Sequence, residues 1–172
     1  MRLPLDENFP EPILEALERW MGDIQLLPLR TIDPRLTGLD DRRLLIGLSQ
    51  LGFEGLVTLN YKMLRNPSEL AAVLKTRMTI FAIDGVGHDP IRATGALLLD
   101  LPPAVAAMRA GGSGVFWLRP RSPKPHDPWE LFKTAAERRN DDAASLYESL
   151  KVSDDEMETA VLASGGSNAA EG

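Results

Sequence analysis

Asp6, Asn60 and Asp84 each fall just beyond a short apolar run, and Asp40-Asp41 opens an amphipathic one. Oxygen-bearing side chains at strand ends can gather on one edge of a sheet. Lys62 and Arg65, just past Asn60, are cations placed to meet phosphate. Structural duties compete for the same residues. Asp6 and the pair Asp84-Gly85 suit turns, Asp40 or Asp41 suits a helix cap, and Glu69 fits a capping box with Asn66 better than it fits a ligand role. Cations beside a helix start are also common on ordinary surfaces. Other chemistries are easier to set aside. The chain has no cysteine, which removes disulfides, thiolate metal sites and cysteine nucleophiles. His88 and His126 are too isolated to suggest a zinc site. Gly85-Val86-Gly87 lacks the glycine spacing of either common phosphate-binding fingerprint.

The elements that must position these residues alternate between strand and helix. Leu3–Leu5 reads as a first strand, and Asn8-Phe9-Pro10-Glu11 starts a helix with Ile13, Leu14, Leu17 and Trp20 on one face. Ile24–Leu29 reads as a second strand, residues 31–39 as a loop, and Asp40 or Asp41 caps a helix with Leu44, Leu45, Leu48 and Leu51 inward. Gly55–Leu59 is apolar throughout, as strands buried on both faces are. Asn66-Pro67-Ser68-Glu69 caps the next helix, which buries Leu70, Val73 and Leu74. Met78–Ile83 is a strand; Asp89-Pro90 opens a helix through Leu99 that Pro102-Pro103 breaks, with a further turn or two over Ala104–Ala110. Val115–Leu118 is a fifth strand. This pattern predicts an α/β domain over residues 1–119, with a mainly parallel sheet of four or five strands flanked by helices. Ligands of such sheets bind beyond the carboxyl ends of the strands, near a topological switch point.

Beyond residue 119 the composition changes. Residues 120–126 read as a proline-rich linker, and Asp127-Pro128-Trp129-Glu130 caps the first of two short helices within 127–150. Residues 151–172 are acidic and rich in small residues, which predicts disorder. Trp117 and Trp129 suit core or interface positions, and Trp129 is also a candidate docking anchor. The net charge of −6 is uneven: residues 1–121 hold 14 Lys and Arg against 14 Asp and Glu, so the excess acid lies in the last third. A neutral body with scattered arginines can still present a local basic rim to RNA. The start Met-Arg-Leu-Pro-Leu-Asp lacks a signal-peptide core, and no apolar run approaches the roughly 18 residues of a membrane span, so a cytoplasmic protein with no membrane association is expected.

Leu5-Asp6-Glu7-Asn8, Asp40-Asp41 and the segment from Val57-Thr58-Leu59-Asn60 to Arg65-Asn66-Pro67-Ser68-Glu69-Leu70 together resemble a PIN-like branch of the VapC-type toxins. The resemblance covers roughly residues 1–85, and the long middle motif is its most specific part. It implies a single PIN-like domain with a C-terminal helical or disordered extension, in which strand-end carboxylates hold one or two Mg²⁺ ions, with Mn²⁺ able to substitute. It further implies a type II toxin-antitoxin ribonuclease whose metal orients a water for attack on an RNA phosphodiester. Asp6 would then be the first ligand, Asp40 or its neighbour Asp41 the second, position 60 the third, and Lys62 and Arg65 would meet substrate phosphate. The implied partners are RNA, a cognate antitoxin that covers the active site, and a second copy of the chain. Trp129–Arg139 and the helix after it are candidates for the antitoxin contact.

The departure from the family lies at Asn60, where the family's Thr-x-Asp segment has an aspartate. A neutral amide weakens a Mg²⁺ site unless another acid substitutes, and Asp84 and Glu69 are the nearby candidates. Three readings stay open: an active enzyme with a shifted ligand set, an inactivated variant, or a PIN fold that binds protein or RNA without cutting. A phosphatase or response-regulator-like receiver ranks below these. A receiver wants an aspartate after the third strand and a lysine late in the sheet, and Asn60 and Val115–Leu118 offer neither.

Overall fold

The structure is a computed structural model that describes residues 1–6, 14, 17, 19–84, 89–119 and 125–162. Six strands form one sheet: β1 (Arg2–Leu5), β2 (Gln25–Pro28), β3 (Gly55–Thr58), β4 (Thr79–Ile83), β5 (Val115–Leu118) and β6 (Pro125–His126). Their spatial order is β2-β1-β3-β4-β5-β6, parallel throughout except for the antiparallel β5–β6 pair. The helices are α1 (Leu29–Ile32), α2 (Asp41–Gln50), α3 (Pro67–Thr76), α4 (Pro90–Arg109), α5 (Pro128–Glu137), α6 (Ala143–Leu150) and α7 (Asp154–Glu158), with 3-10 turns at Pro34–Gly38 and Tyr61–Arg65. The α/β expectation holds, with one strand more than foreseen.

Side chains alternate across the sheet, and both faces are covered. Leu56, Ile80, Ala82 and Val115 join α2, α3 and α5 in one core, whereas Leu5, Val57, Phe81, Phe116 and Leu118 join Leu17 and α4 in the other. A sheet buried on both faces explains why β3 and β4 read as continuous apolar runs. β1 contains a proline although it is central, flanked by β2 and β3. The backbone N–H of Asp6 donates to the Val57 carbonyl at 3.0 Å, so the N–H that Pro4 lacks falls on the same, β3-facing side. The β1–β3 register accordingly narrows to Leu5 against Val57, at the end where Asp6 emerges.

Several sequence expectations are corrected. Helix α4 runs unbroken through Pro102 and Pro103. A proline inside a helix costs about 3 kcal/mol, but Pro103 is exposed, and the carbonyls freed four residues earlier belong to Leu98 and Leu99, which lie toward solvent. Burial of Leu97, Leu101, Ala104 and Val105 against the sheet outweighs the defect. The span Ile91–Arg109 does reach membrane-spanning length and apolarity, contrary to the expectation from sequence, yet its inward face belongs to the domain core. Residues 31–39 are not a plain loop but end α1 and form a 3-10 turn whose Asp33 cap accepts from the Arg35 N–H at 2.9 Å. Trp20 and Leu51, read as inward, are 78% and 46% exposed. The first helix lies mostly outside the described residues; Leu14 and Leu17 are helical, and Leu17 is buried.

The C-terminal third is part of the domain. Pro125–His126, read as linker, pairs with β5, while 120–124 lie outside the described residues. Gly114 makes that pairing possible: its φ is +134°, and a Cβ there would sit 2.6 Å from the His126 carbonyl oxygen. Phe132 of α5 is fully buried, stacked on Trp129 at 5.5 Å, and Tyr147 meets both rings edge-on. Trp129 is therefore spent on the chain's own core rather than left as a free anchor. Residues 151–162, expected to be disordered, fold back over α2 and α3. Val152 and Val161 are buried, and the Val161 N–H donates to Gln50 Oε1 at 3.0 Å. Arg42 donates to the Ser68 and Leu150 carbonyls at 2.9 Å each and pairs with Glu156 at 3.0 Å. Acidic composition hid an arm whose few apolar residues and buried cation contacts are enough to dock it. Residues 163–172 of the expected tail lie outside the described residues.

Candidate functional site

The sheet order places the topological switch point between β1 and β3: β2 lies on the far side of β1, and β4 and β5 continue beyond β3. Chain connections leave in opposite directions there and open a crevice at the carboxyl ends of the two strands. Asp6 and the Thr58-Leu59-Asn60 segment enter that crevice side by side. The Thr58 hydroxyl, on a residue only 1% exposed, donates to Asp6 Oδ2 at 2.7 Å and accepts from the Asn60 backbone N–H at 2.8 Å. With both its donor and an acceptor site engaged, the hydroxyl has one orientation and holds Asp6 and Asn60 in fixed relation.

Helix α2 delivers the second acid. The sequence left Asp40 and Asp41 open, and the structure separates their roles. Asp40 is the exposed N-cap, its Oδ1 accepting from the Arg43 N–H at 2.9 Å. Asp41, in the first turn, is half-buried and faces the crevice, where its Oδ2 accepts from Asn60 Nδ2 at 2.9 Å. Of the two candidates, Asp41 and not Asp40 meets Asn60, because the cap takes the residue just outside the helix.

Glu69, weighed in the sequence as a substitute acid but better explained there as a cap, lies beside this group. Its expected capping-box partner, the Asn66 backbone N–H, donates instead to the Met63 carbonyl at 3.1 Å. Glu69 Oε1 accepts from the Asn66 side chain at 2.7 Å. Burial pushes the Glu69 carboxyl up from 4.5 to about 7, and the charges of Asp41 and then Asp40 add to the rise, against the Asn66 hydrogen bond that lowers it. Burial likewise pushes Asp41 up, followed by the charge of Asp6, against the hydrogen bond from Asn60. Among the described residues, no ion pair joins Asp41 or Glu69 to a lysine or arginine. Acids pushed up by burial and by neighbouring carboxylates in a cleft mark a functional-site candidate.

Asp84, Lys62 and Arg65 stand apart from this group. Asp84 follows β4 and is paired with Arg119, in a neighbouring cleft that also takes in Tyr61, Arg65, Trp117 and Arg138. It is therefore not placed as the substitute ligand for Asn60. Lys62 is exposed on the 3-10 turn, and the Arg65 guanidinium lies over the Tyr61 ring at 5.3 Å.

The donor set bears on the metal that the resemblance implies. No three His, Asp or Glu side chains converge as a metal cage among the described residues. Mg²⁺ does not require one: it is commonly held by one or two carboxylates, with water and substrate phosphate completing the octahedron. Asp6 and Asp41 supply two carboxylates across the crevice, and the Asn60 amide now places its positive end against Asp41, where a cation would otherwise act. Asp6 and Asp41 are the residues that would hold such an ion. In comparisons with known protein families, with curated proteins and with solved structures, nothing matches this chain.

Proposed function

We propose that this chain is a Mg²⁺-dependent endoribonuclease of the PIN-like VapC toxin type, with its metal site weakened at Asn60. The supporting observation is the meeting of Asp6 and Asp41 at the β1/β3 switch point, with Thr58 and Asn60 tying them together. In this reading Asp6 and Asp41 hold the cation, and a bound Mg²⁺ supplies charge neutralisation at the phosphate and an activated water. Thr58 keeps the Asp6 carboxylate from rotating. Glu69, its carboxyl pushed up to about 7, is poised to accept or release a proton at its carboxyl oxygen near neutral pH. Asn60 supplies a neutral oxygen and two N–H donors where a third carboxylate would tighten the site.

As part of the same proposal, the physiological partner is an antitoxin protein that covers the crevice. The surface of Trp129 is largely consumed within the core, so such a contact falls on the strand-end edge instead. Cleavage of single-stranded RNA in Mg²⁺ or Mn²⁺, compared among the wild type, Asp6→Asn and Asn60→Asp, tests the reading. Cutting that is weak in the wild type, abolished in Asp6→Asn and raised in Asn60→Asp supports it. A second reading, a PIN-like module that binds RNA or protein without cutting, is favoured by the Asn60–Asp41 hydrogen bond, which balances the crevice without a metal. RNA binding by all three proteins, with cleavage by none, selects it.

A further inference from the structure

Next to the acidic crevice lies a cleft of opposite character. Tyr61 follows Asn60 directly, and the 3-10 turn that begins with it forms one wall. The ends of β4 and β5, Asp84 and Arg119, form the floor, and the outer turns of α5 close the far side with Thr134 and Arg138. The volume is about 210 Å³, room for about seven waters at roughly 30 Å³ each. That is the scale of one small planar group and its substituents, well short of a duplex.

Three arginines face a single acid here, in a chain whose net charge is −6. Asp84 is committed to Arg119, and the buried Asp100 carboxylate accepts the Arg119 backbone N–H from behind. Arg119 is thus held in place, while Arg65 and Arg138, both exposed, form no ion pair among the described residues. The flat groups adjoin one another. Arg65 lies over Tyr61 at 5.3 Å and Arg119 over Trp117 at 5.5 Å, and the two rings are 6.4 Å apart, tilted by 59°. Rings and guanidinium planes are the surfaces on which unstacked bases rest, and exposed arginines are the donors that grip phosphate in pairs. An acidic peptide would use the charge but would leave the aromatic layer without a role.

We propose that the cleft of Tyr61, Arg65, Trp117, Arg119 and Arg138 binds one nucleotide unit of single-stranded RNA, its base on the aromatic–guanidinium layer and its phosphate on Arg65 and Arg138. The naming of RNA rests on the nuclease reading; the cleft's capacity for a base and a phosphate does not need the metal. Because the cleft adjoins Asn60, the strand held there continues toward Asp6 and Asp41, and the subsite fixes where along the strand the crevice acts. Stacking contributes about 1–3 kcal/mol per base, about 5- to 150-fold in affinity.

The test is fluorescence anisotropy of a labelled eight-nucleotide RNA in EDTA, so that neither metal binding nor cleavage contributes. The proteins are the full-length wild type, Arg65→Ala, Arg138→Ala, the double variant and Arg109→Ala, with circular dichroism confirming that each is folded. Expected are a loss of about tenfold for each variant of Arg65 or Arg138, a smaller salt slope by about one per phosphate contact removed, and undiminished binding by Arg109→Ala, which removes a cation paired with Asp23 at the opposite end of helix α4. Weaker binding of a duplex of the same length completes the expected pattern. Wild-type affinity in the folded double variant overturns the proposal, as does equal displacement of the RNA by polyglutamate, which would assign the cleft to acidic protein segments. Failure of the nuclease reading gives a separate result: arginine-dependent RNA binding with no cleavage in Mg²⁺ by any variant.

Discussion

Replacing Asn60 by aspartate tests the electrostatics of the crevice without presupposing catalysis. The substitution removes the hydrogen bond from Asn60 Nδ2 to Asp41 Oδ2, 2.9 Å long, and sets a carboxylate in its place. A hydrogen bond to a charged acceptor contributes about 1.5–3 kcal/mol. Two like charges about 4 Å apart repel by about 4 kcal/mol at an effective dielectric constant of about 20. Asp41 is only half-buried, so solvent screening reduces both figures, and one carboxyl can take up a proton instead of repelling its neighbour. The net expectation is a loss of about 2–4 kcal/mol at pH 8 in EDTA, which for a chain of this size lowers Tm by about 5–15 °C. The loss should shrink at pH 5, where a shared proton relieves the repulsion. Mg²⁺ at about 100 times its Kd should restore about 2.7 kcal/mol. Differential scanning calorimetry at both pH values, with and without Mg²⁺, measures all of this. An Asn60→Asp protein as stable as the wild type in EDTA at pH 8, and indifferent to Mg²⁺, would refute the account of the crevice as a cluster of mutually repelling acids.

Other outcomes follow from the same structure. The Glu69 carboxyl rises from 4.5 unfolded to about 7 folded, so the folded state holds the extra proton; its contribution is intact below pH 4.5 and is lost as pH climbs through 7. The full shift corresponds to about 3 kcal/mol; because Glu69 is only partly buried, screening leaves about 1–2 kcal/mol, and urea denaturation at pH 5 and pH 8 should show Glu69→Gln abolishing that part of the pH dependence. Thr58→Val leaves Asp6 Oδ2 and the Asn60 N–H without their shared partner, and should cost about 1–3 kcal/mol in urea titrations while impairing any divalent-ion binding. Pro102→Ala returns one N–H to helix α4 and should stabilise by about 1–2 kcal/mol, the gain being offset in part by a freer unfolded chain. Truncation after Leu150 exposes the surfaces under Val152 and Val161 and strips Glu156 from Arg42; a fall of about 3–5 kcal/mol is expected by chemical denaturation, and an unchanged midpoint would show that the arm is dispensable.

The sheet was legible because β3, β4 and β5 are apolar runs bounded by turn residues, and because Asn66-Pro67 and Asp127-Pro128 mark helix starts unmistakably. What stayed hidden depends on tertiary packing. Nothing local in Pro102-Pro103 shows that the freed carbonyls face solvent, and nothing in the acidic stretch after Leu150 shows that Arg42 and Gln50 wait to receive it. At the candidate site, Asp6 and Asn60 are legible as neighbours because they follow strands that the topology sets side by side. Asp41 could not be told from Asp40, since one residue of helix phase decides which caps and which faces inward. Glu69 was read as a cap because its spacing from Asn66 is that of a capping box, and only the diversion of the Asn66 N–H to Met63 frees it. The arginine cleft joins residues from β5, the turn after β3 and α5, a combination no linear motif encodes.

The central claim is that Asp6 and Asp41 form one weak cation site that Asn60 has partly neutralised, and calorimetric titration with Mn²⁺ tests it most directly. The account predicts a single weak site in the wild type, binding at least tenfold tighter in Asn60→Asp, and none in Asp6→Asn. Identical titrations for all three proteins, or no binding by Asn60→Asp, would contradict it.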